Sequence, residues 1–263
     1  MSLSRRLYPA KAYFSYWLNA VDEQSLHSPF LFKFYNEVLK PKSPSATFEP
    51  IEKHRRALLR DKRLIDLQDP GAGSLVSRSQ QRTVGSIAKH SLSSPAFCSF
   101  LYRLTRFQQP EHSLEIGTSL GISAAYINKA FSGQLTTIEG SPAIAAMARE
   151  TFDRLACQNI KLIEGRAQEA LTPFIQTTPK LDLVFIDAHH SEEATLSFFE
   201  KLRESLHQQS IAVVGDIHWS AGMERAWQQL TQHESVTLSV DTFHAGILFF
   251  NPDLRKETEV LWC

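Results

Sequence analysis

Beyond residue 110 the chain alternates between two hydrophobic patterns. Short apolar runs near 112–116, 134–139, 160–164, 182–187 and 210–216 predict buried strands. Between and after them, stretches near 120–131, 142–156, 167–175, 191–207 and 219–232 carry apolar residues at helical spacing. Strands alternating with helices predict a mostly parallel sheet covered on both faces. Two further apolar runs, Ser235–Val240 and His244–Phe250, are joined at Asp241-Thr242 and predict a terminal antiparallel hairpin. The expected class is therefore α/β, with a seven-stranded sheet.

Before residue 108 only helical patterns are read. Residues 7–20 hold Tyr8, Tyr13, Phe14, Trp17 and Leu18 in an aromatic amphipathic array. Ser28-Pro29 reads as an N-cap followed by the first helical position, with Phe30, Leu31, Phe34, Tyr35 and Val38 inward and Pro41 as the stop. Residues 41–48 read as a loop. Further helices are expected from Ile51 to about Leu67, over 80–90 and over 94–107, the last behind the Ser94-Pro95 cap. Asp69–Ser74 is a glycine-bearing loop, either a lid or a linker. The expected domains are a helical extension, 1–108, and an α/β domain, 109–263.

The chemistry concentrates at the ends of the predicted strands, where ligands bind in open α/β sheets. The first strand runs into Glu115-Ile116-Gly117-Thr118-Ser119-Leu120-Gly121, a turn opening a helix. Glycines there permit backbone conformations that side chains block, and free N–H groups of the new helix can face a ligand. The spacing is Glu-x-Gly-x-x-x-Gly, not the Gly-x-Gly-x-x-Gly of dinucleotide sites. Glu139, 22 positions beyond Gly117, ends the second strand and precedes Gly140-Ser141. A carboxylate there can accept hydrogen bonds from both hydroxyls of a ribose. The third strand is followed by Gly165-Arg166-Ala167. The fourth ends in Asp187-Ala188-His189-His190, and the fifth in Gly215-Asp216-Ile217-His218-Trp219.

Leu114–Ile127 resembles motif I of class I S-adenosylmethionine (SAM)-dependent methyltransferases, and is particularly similar to the catechol/caffeoyl-CoA O-methyltransferase branch. Leu181–His190 is similar to the same family's "DLVFIDADK" segment. The resemblance implies a Rossmann-like sheet ending in an antiparallel hairpin, and SAM as cofactor. It implies cofactor contacts at Glu115, Gly117, Thr118, Ser119, Gly121, Glu139, Gly140, Ser141, Arg166, Ala167 and Asp187. It places catalysis on Asp187 and on His190, which falls on the family's general-base lysine. A metal would use Asp187 and Asp216; Gly215 stands where the family has a third ligand, an aspartate. His218 could add a ligand nitrogen, and that donor would favour a softer metal than Mg²⁺.

With 28 basic and 28 acidic residues the formal charge is zero, which disfavours a nucleic-acid partner. Cys98, Cys157 and Cys263 show no metal or disulfide spacing, and suit a reducing, cytoplasmic setting. No apolar run approaches the ~20 residues of a spanning helix, so no membrane segment is expected. The expected acceptor is a small molecule bearing a hydroxyl. The aromatic N-terminal helix leaves a homodimer open. His27, just before the Ser28 cap, could reach a substrate cavity or serve a local hydrogen bond. A nicotinamide-dependent oxidoreductase, a non-catalytic module on the same fold and, disfavoured by the zero charge, a nucleic-acid methyltransferase remain the rival readings.

Overall fold

The computed structural model describes residues 3–40, 46–67, 80–178 and 180–262. The loop Asp69–Ser74 and Cys263 lie outside them. In chain order, α1 is Leu3–Asn19 and α2 is Pro29–Phe34, continued by a π turn over Tyr35–Leu39. Next come α3 (Glu49–Arg60), β1 (Leu64–Leu67), β2 (Gln80–Thr83), α4 (Val84–Ser91) and α5 (Pro95–Gln108). The alternating part is β3 (His112–Ile116), α6 (Ile122–Asn128), β4 (Gln134–Glu139), α7 (Pro142–Arg154), β5 (Ile160–Glu164) and α8 (Ala167–Thr177). It continues with β6 (Leu183–Ile186), α9 (Glu192–Arg203), β7 (Ile211–Gly215), α10 (Ala221–Gln232), β8 (Leu238–Asp241), β9 (Ala245–Phe249) and β10 (Glu257–Val260). The fold is α/β with eight mostly parallel strands, β3 to β10, surrounding helices and a helical N-terminal region.

The chain forms two compact units, one of residues 41–173 and one of 1–40 with 174–263. In the first, β3, β4 and β5 pair in parallel, with Glu115 opposite Thr137 and Glu139 opposite Glu164. Its core joins Phe48, Ile51, Leu58, Val84, Ile87 and Cys98 to Leu120, Ile122, Tyr126 and Met147. Helices α3, α4 and α5 thus share one apolar interior with α6, the helix that follows the glycine turn. A buried polar knot lies in the same unit. Arg55 donates to Glu52 at 2.9 Å, to the Ser93 carbonyl at 2.5 Å and to the Cys98 sulfur at 3.3 Å. Tyr126 donates to Glu52 at 2.8 Å. Burial pushes the Cys98 thiol up to about 12, so it stays protonated and inert.

Two expectations for this region are corrected. The helix foreseen from Ile51 to Leu67 stops at Arg60, and β1 pairs antiparallel with β2, Leu64 opposite Thr83. The Asp61 side chain takes the Arg63 N–H at 2.8 Å, a turn that competes with helix, and Leu64–Leu67 then alternates like a strand. Residues 80–83 are strand as well, and α4 begins only where the Thr83 hydroxyl caps it, accepting from the Ser86 N–H at 3.2 Å.

In the second unit β6 and β7 are parallel, β9 is antiparallel to both β7 and β8, and β10 is parallel to β8. The hairpin around Asp241-Thr242 is therefore present, and β10 is an eighth strand not foreseen. Helix α1 is tied here by the Tyr16 hydroxyl, which donates to the Leu261 carbonyl at 2.7 Å. Among the described residues no helix is long and apolar enough to cross a membrane.

Candidate functional site

At the carboxyl ends of β3 and β4 the polar groups satisfy one another. Glu115 is fully buried; its two carboxylate oxygens accept from Ser123 and Thr137, each at 2.6 Å. Thr118, also buried, lies 2.6 Å from the Thr137 hydroxyl. Glu115 and Thr118 therefore brace the turn from inside. Ser123 and Thr137 are partners that sequence reading missed, although the strand pairing brings Thr137 opposite Glu115.

The turn itself is held in left-handed backbone: Gly117 at φ 102°, Ser119 at φ 49° and Gly121 at φ 82°. The Gly117 and Thr118 N–H groups both donate to the Ile138 carbonyl, at 3.0 and 3.2 Å. Gly121 has a second constraint, since a Cβ there would lie 2.7 Å from the Phe152 ring. Ser119 stands 2.8 Å from the hydroxyl of Ser91, another residue the sequence did not flag.

Glu139 caps the tip of β4. One oxygen accepts from the Ser119 N–H and the other from the Ser141 N–H, both at 2.9 Å. Burial raises its pKa above the ordinary carboxylate value despite these backbone donors. The Gly140 backbone N–H also favours the charged form, which leaves about one of the four acceptor sites of a carboxylate for a ligand. A Cβ at Gly140 or at Gly165 would meet nothing within 4 Å, so the backbone there borders open space. Ala167 is buried at the start of α8, while Arg166 makes only a loose 3.8 Å pair with Glu169.

In the other unit, beyond β6 and β7, Asp187, His190 and Asp216 bring one ligand atom each within 4.8 Å of one another. His190 Nδ1 lies 3.7 Å from Asp216 Oδ2. The backbone is strained there, with His189 at φ 65°, His190 at φ 39° and Asp216 at φ 54°. Burial raises Asp187 to about 6; His190 opposes the rise and Asp216 adds to it. Gly215 is explained by the same carboxylate, because a Cβ on it would sit 2.6 Å from Asp187 Oδ1.

His218 does not join this cluster. Its Nε2 lies 2.8 Å from Asp241 and its Nδ1 lies 3.9 Å from Glu224, which also accepts from Tyr8. Although burial pulls the His218 pKa down, Asp241 and Glu224 raise it above the usual value. His27 is exposed, near Glu259.

Residues 114–217 match a family described as a methyltransferase domain. A Mycobacterium avium (strain 104) protein named as an O-methyltransferase is 36% identical over 98 residues, 36% of this chain and 43% of that one. The chain thus spans less than half the length of the curated relatives it matches. Two solved structures share the fold at lower identity. The O-methyltransferase of Bacillus cereus, in complex with S-adenosylhomocysteine (SAH), aligns with TM-score 0.57 at 18% identity, over 83% of this chain and 96% of that one. The O-methyltransferase TomG of Streptomyces achromogenes, in complex with SAM, aligns with TM-score 0.55 at 19% identity, over 82% and 94%.

Proposed function

From the premise that this chain carries a methyltransferase domain over residues 114–217, we propose that it is a SAM-dependent methyltransferase acting on a hydroxyl of a small molecule. The observation that carries this reading is Glu139. Its carboxylate is clamped by two backbone N–H groups at a strand tip that opens to space, and it keeps acceptor capacity for ribose hydroxyls. Glu115 and Thr118 shape the turn beneath the cofactor, while Gly117, Ser119, Gly121, Gly140 and Ser141 offer it backbone. Arg166 and Ala167 would border the adenine.

The methyl of SAM is electrophilic because it sits on a sulfonium. The protein must present an acceptor oxygen behind that methyl and remove its proton. His190 is the proposed base. Its Nδ1 lies 3.7 Å from the Asp216 carboxylate, and a neutral imidazole can take the hydroxyl proton. The new C–O bond forms as the C–S bond breaks, giving a methyl ether and SAH. Asp187 supplies negative charge beside the base. The matched domain begins at residue 114, so acceptor selectivity is proposed to reside in residues 1–108, which the match does not cover. Zero formal charge favours a small acceptor over nucleic acid. Free thiols at Cys98 and Cys157 suit the cytoplasm.

A metal-assisted variant has one observation in its favour, the convergence of Asp187, His190 and Asp216. Two carboxylates and an imidazole suit Mn²⁺, Co²⁺ or Zn²⁺ better than Mg²⁺, and the mutually repelling acids fit a cation between them. Such an ion would lower the pKa of an acceptor hydroxyl, with His190 as a ligand instead of the base.

Calorimetric titration of the purified chain tests the core claim. SAH should bind and NADH should not; tight NADH binding without SAH binding would overturn the proposal in favour of an oxidoreductase. SAH binding with no methyl transfer to any of a broad set of hydroxyl acceptors would leave only a binding module.

A further inference from the structure

Helix α1 is attached along one narrow stripe. Ala12 and Tyr16 are buried and Tyr8 is half-buried, three residues at i, i+4 and i+8. The opposite side is not polar, as a surface helix normally is. Tyr13 is 47% exposed, Phe14 61%, Trp17 53% and Leu18 60%. They form one contiguous patch, in which Phe14 and Trp17 stack with ring centroids 6.2 Å apart. Tyr13 leans back on the body of the unit, edge-on to Phe243 at 5.0 Å.

The charge of this segment is one-sided. Residues 1–21 hold Arg5, Arg6 and Lys11 and no acid, although the whole chain is neutral. Lys11 is exposed and pairs with no described acid. A helix with basic residues and no acid, whose exposed face carries Lys11 beside Trp, Tyr, Phe and Leu, has the composition of one that lies in a lipid headgroup layer. The charges argue against self-association through this face. Two copies meeting there would bring cation to cation, with no acid in the helix to pair either.

We propose that α1 docks the protein on the surface of an anionic lipid membrane. The helix lies parallel to the bilayer, with Phe14, Trp17 and Leu18 entering the headgroup–acyl boundary and Lys11 meeting lipid phosphates. This needs no spanning segment and does not depend on which acceptor the enzyme methylates.

Sedimentation of the full chain with vesicles tests it. The protein should pellet with phosphatidylcholine–phosphatidylglycerol vesicles at low salt, remain in solution with phosphatidylcholine alone, and be released by high salt. Phe14→Ser with Trp17→Ser should cut binding at least about tenfold. Lys11→Glu should cut it about fivefold. The affected side chains are exposed, so melting temperatures should match the parent; if the double variant melts early, the Lys11→Glu result decides. Light scattering should report a monomer in the absence of lipid. Three results would overturn the proposal: no binding to anionic vesicles, binding that Lys11→Glu and the double variant leave unchanged, or a dimer that the double variant dissolves.

Discussion

The two groups of proposed functional residues, one in each compact unit, are built on opposite principles. At the tips of β3 and β4 the acids are satisfied: Glu115 by two hydroxyls, Glu139 by two backbone N–H groups. Beyond β6 and β7 no hydrogen bond from a described residue reaches the Asp187 carboxylate, and its neighbours are a histidine and a second acid. Donors that already hold a carboxylate in place remove the cost of organising it when a ligand arrives. A buried acid with no hydrogen-bond donor costs stability, as does the left-handed backbone of His189, His190 and Asp216 beside it, and both features concentrate at functional sites. On the proposed function, the first group would be a preformed receptor for a constant ligand and the second a reactive edge.

The largest effect should follow from neutralising the reactive edge. Asp187→Asn should lower turnover about a thousandfold. The stability consequence has a definite sign. The folded-state pKa of Asp187 is raised to about 6, so the folded protein holds this proton more tightly than the unfolded chain does. Stability is therefore fully present below the unfolded carboxylate value near 3.9, and is lost as pH rises through about 6. At pH 7 the asparagine variant escapes that loss and should melt no lower than the parent, with a gain on the order of 1–2 kcal/mol. Thermal melts at pH 5 and pH 7, with and without a chelator, read this directly. If a cation normally neutralises the cluster, the order reverses: the variant melts lower, and chelator brings the parent down to match it.

His190→Ala sharpens the same contrast. Turnover should fall about a hundredfold, while SAH affinity, set in the other group, stays put. Added imidazole should restore part of the rate if the ring is a base; a ligand role predicts loss of bound metal instead. Equal turnover in parent and variant would remove His190 from the mechanism.

Much of this was legible in the sequence because it is local. Buried parallel strands read as apolar runs, and the acids and glycines that end them fall at regular places. The strand tips were therefore identified, from Glu115 through Asp216, before any geometry was known. What escaped is non-local. β1 and β2 are short, partly polar strands that exist only through their pairing with each other. β10 is the sequence Glu257–Val260, which has no strand-like apolar face and is defined by lying beside β8. His218 shares its turn with Asp216 yet turns toward Asp241, a choice set by the hairpin rather than by its neighbours in the chain. The bracing of Glu115 by Ser123 and Thr137 likewise appears only in three dimensions.

In the receptor group, Glu139→Ala should weaken SAH binding by about ten- to a hundredfold, the worth of one or two hydrogen bonds to a charged acceptor. Glu139→Gln should fall in between. Because burial raises the Glu139 pKa, affinity in the parent should decline as pH drops through that raised value, and the alanine variant should lose this dependence. Titration calorimetry across a pH series measures both. A parent and variant with identical pH profiles would place the ribose elsewhere.

The smallest effect, and the finest test of the contrast, is at Gly215. Adding one carbon there intrudes on the Asp187 carboxylate at 2.6 Å, while the Ile186 carbonyl at 3.5 Å is in ordinary contact. Carboxylates rotate easily, so Gly215→Ala should not unfold the chain; it should turn Asp187 away from His190 and Asp216. Turnover should drop by about three- to tenfold with SAH affinity unchanged, because alignment at the reacting atoms tolerates little displacement. Gly215→Asp restores the acid that the resemblance leads one to look for, but adds a third negative charge to a pair that already repels. Without a cation it should raise the Asp187 pKa further and suppress turnover more than alanine does; with Mn²⁺ present it should gain metal affinity. A Gly215→Asp variant as active as the parent and indifferent to Mn²⁺ would show that Asp187 does not work from where this structure holds it.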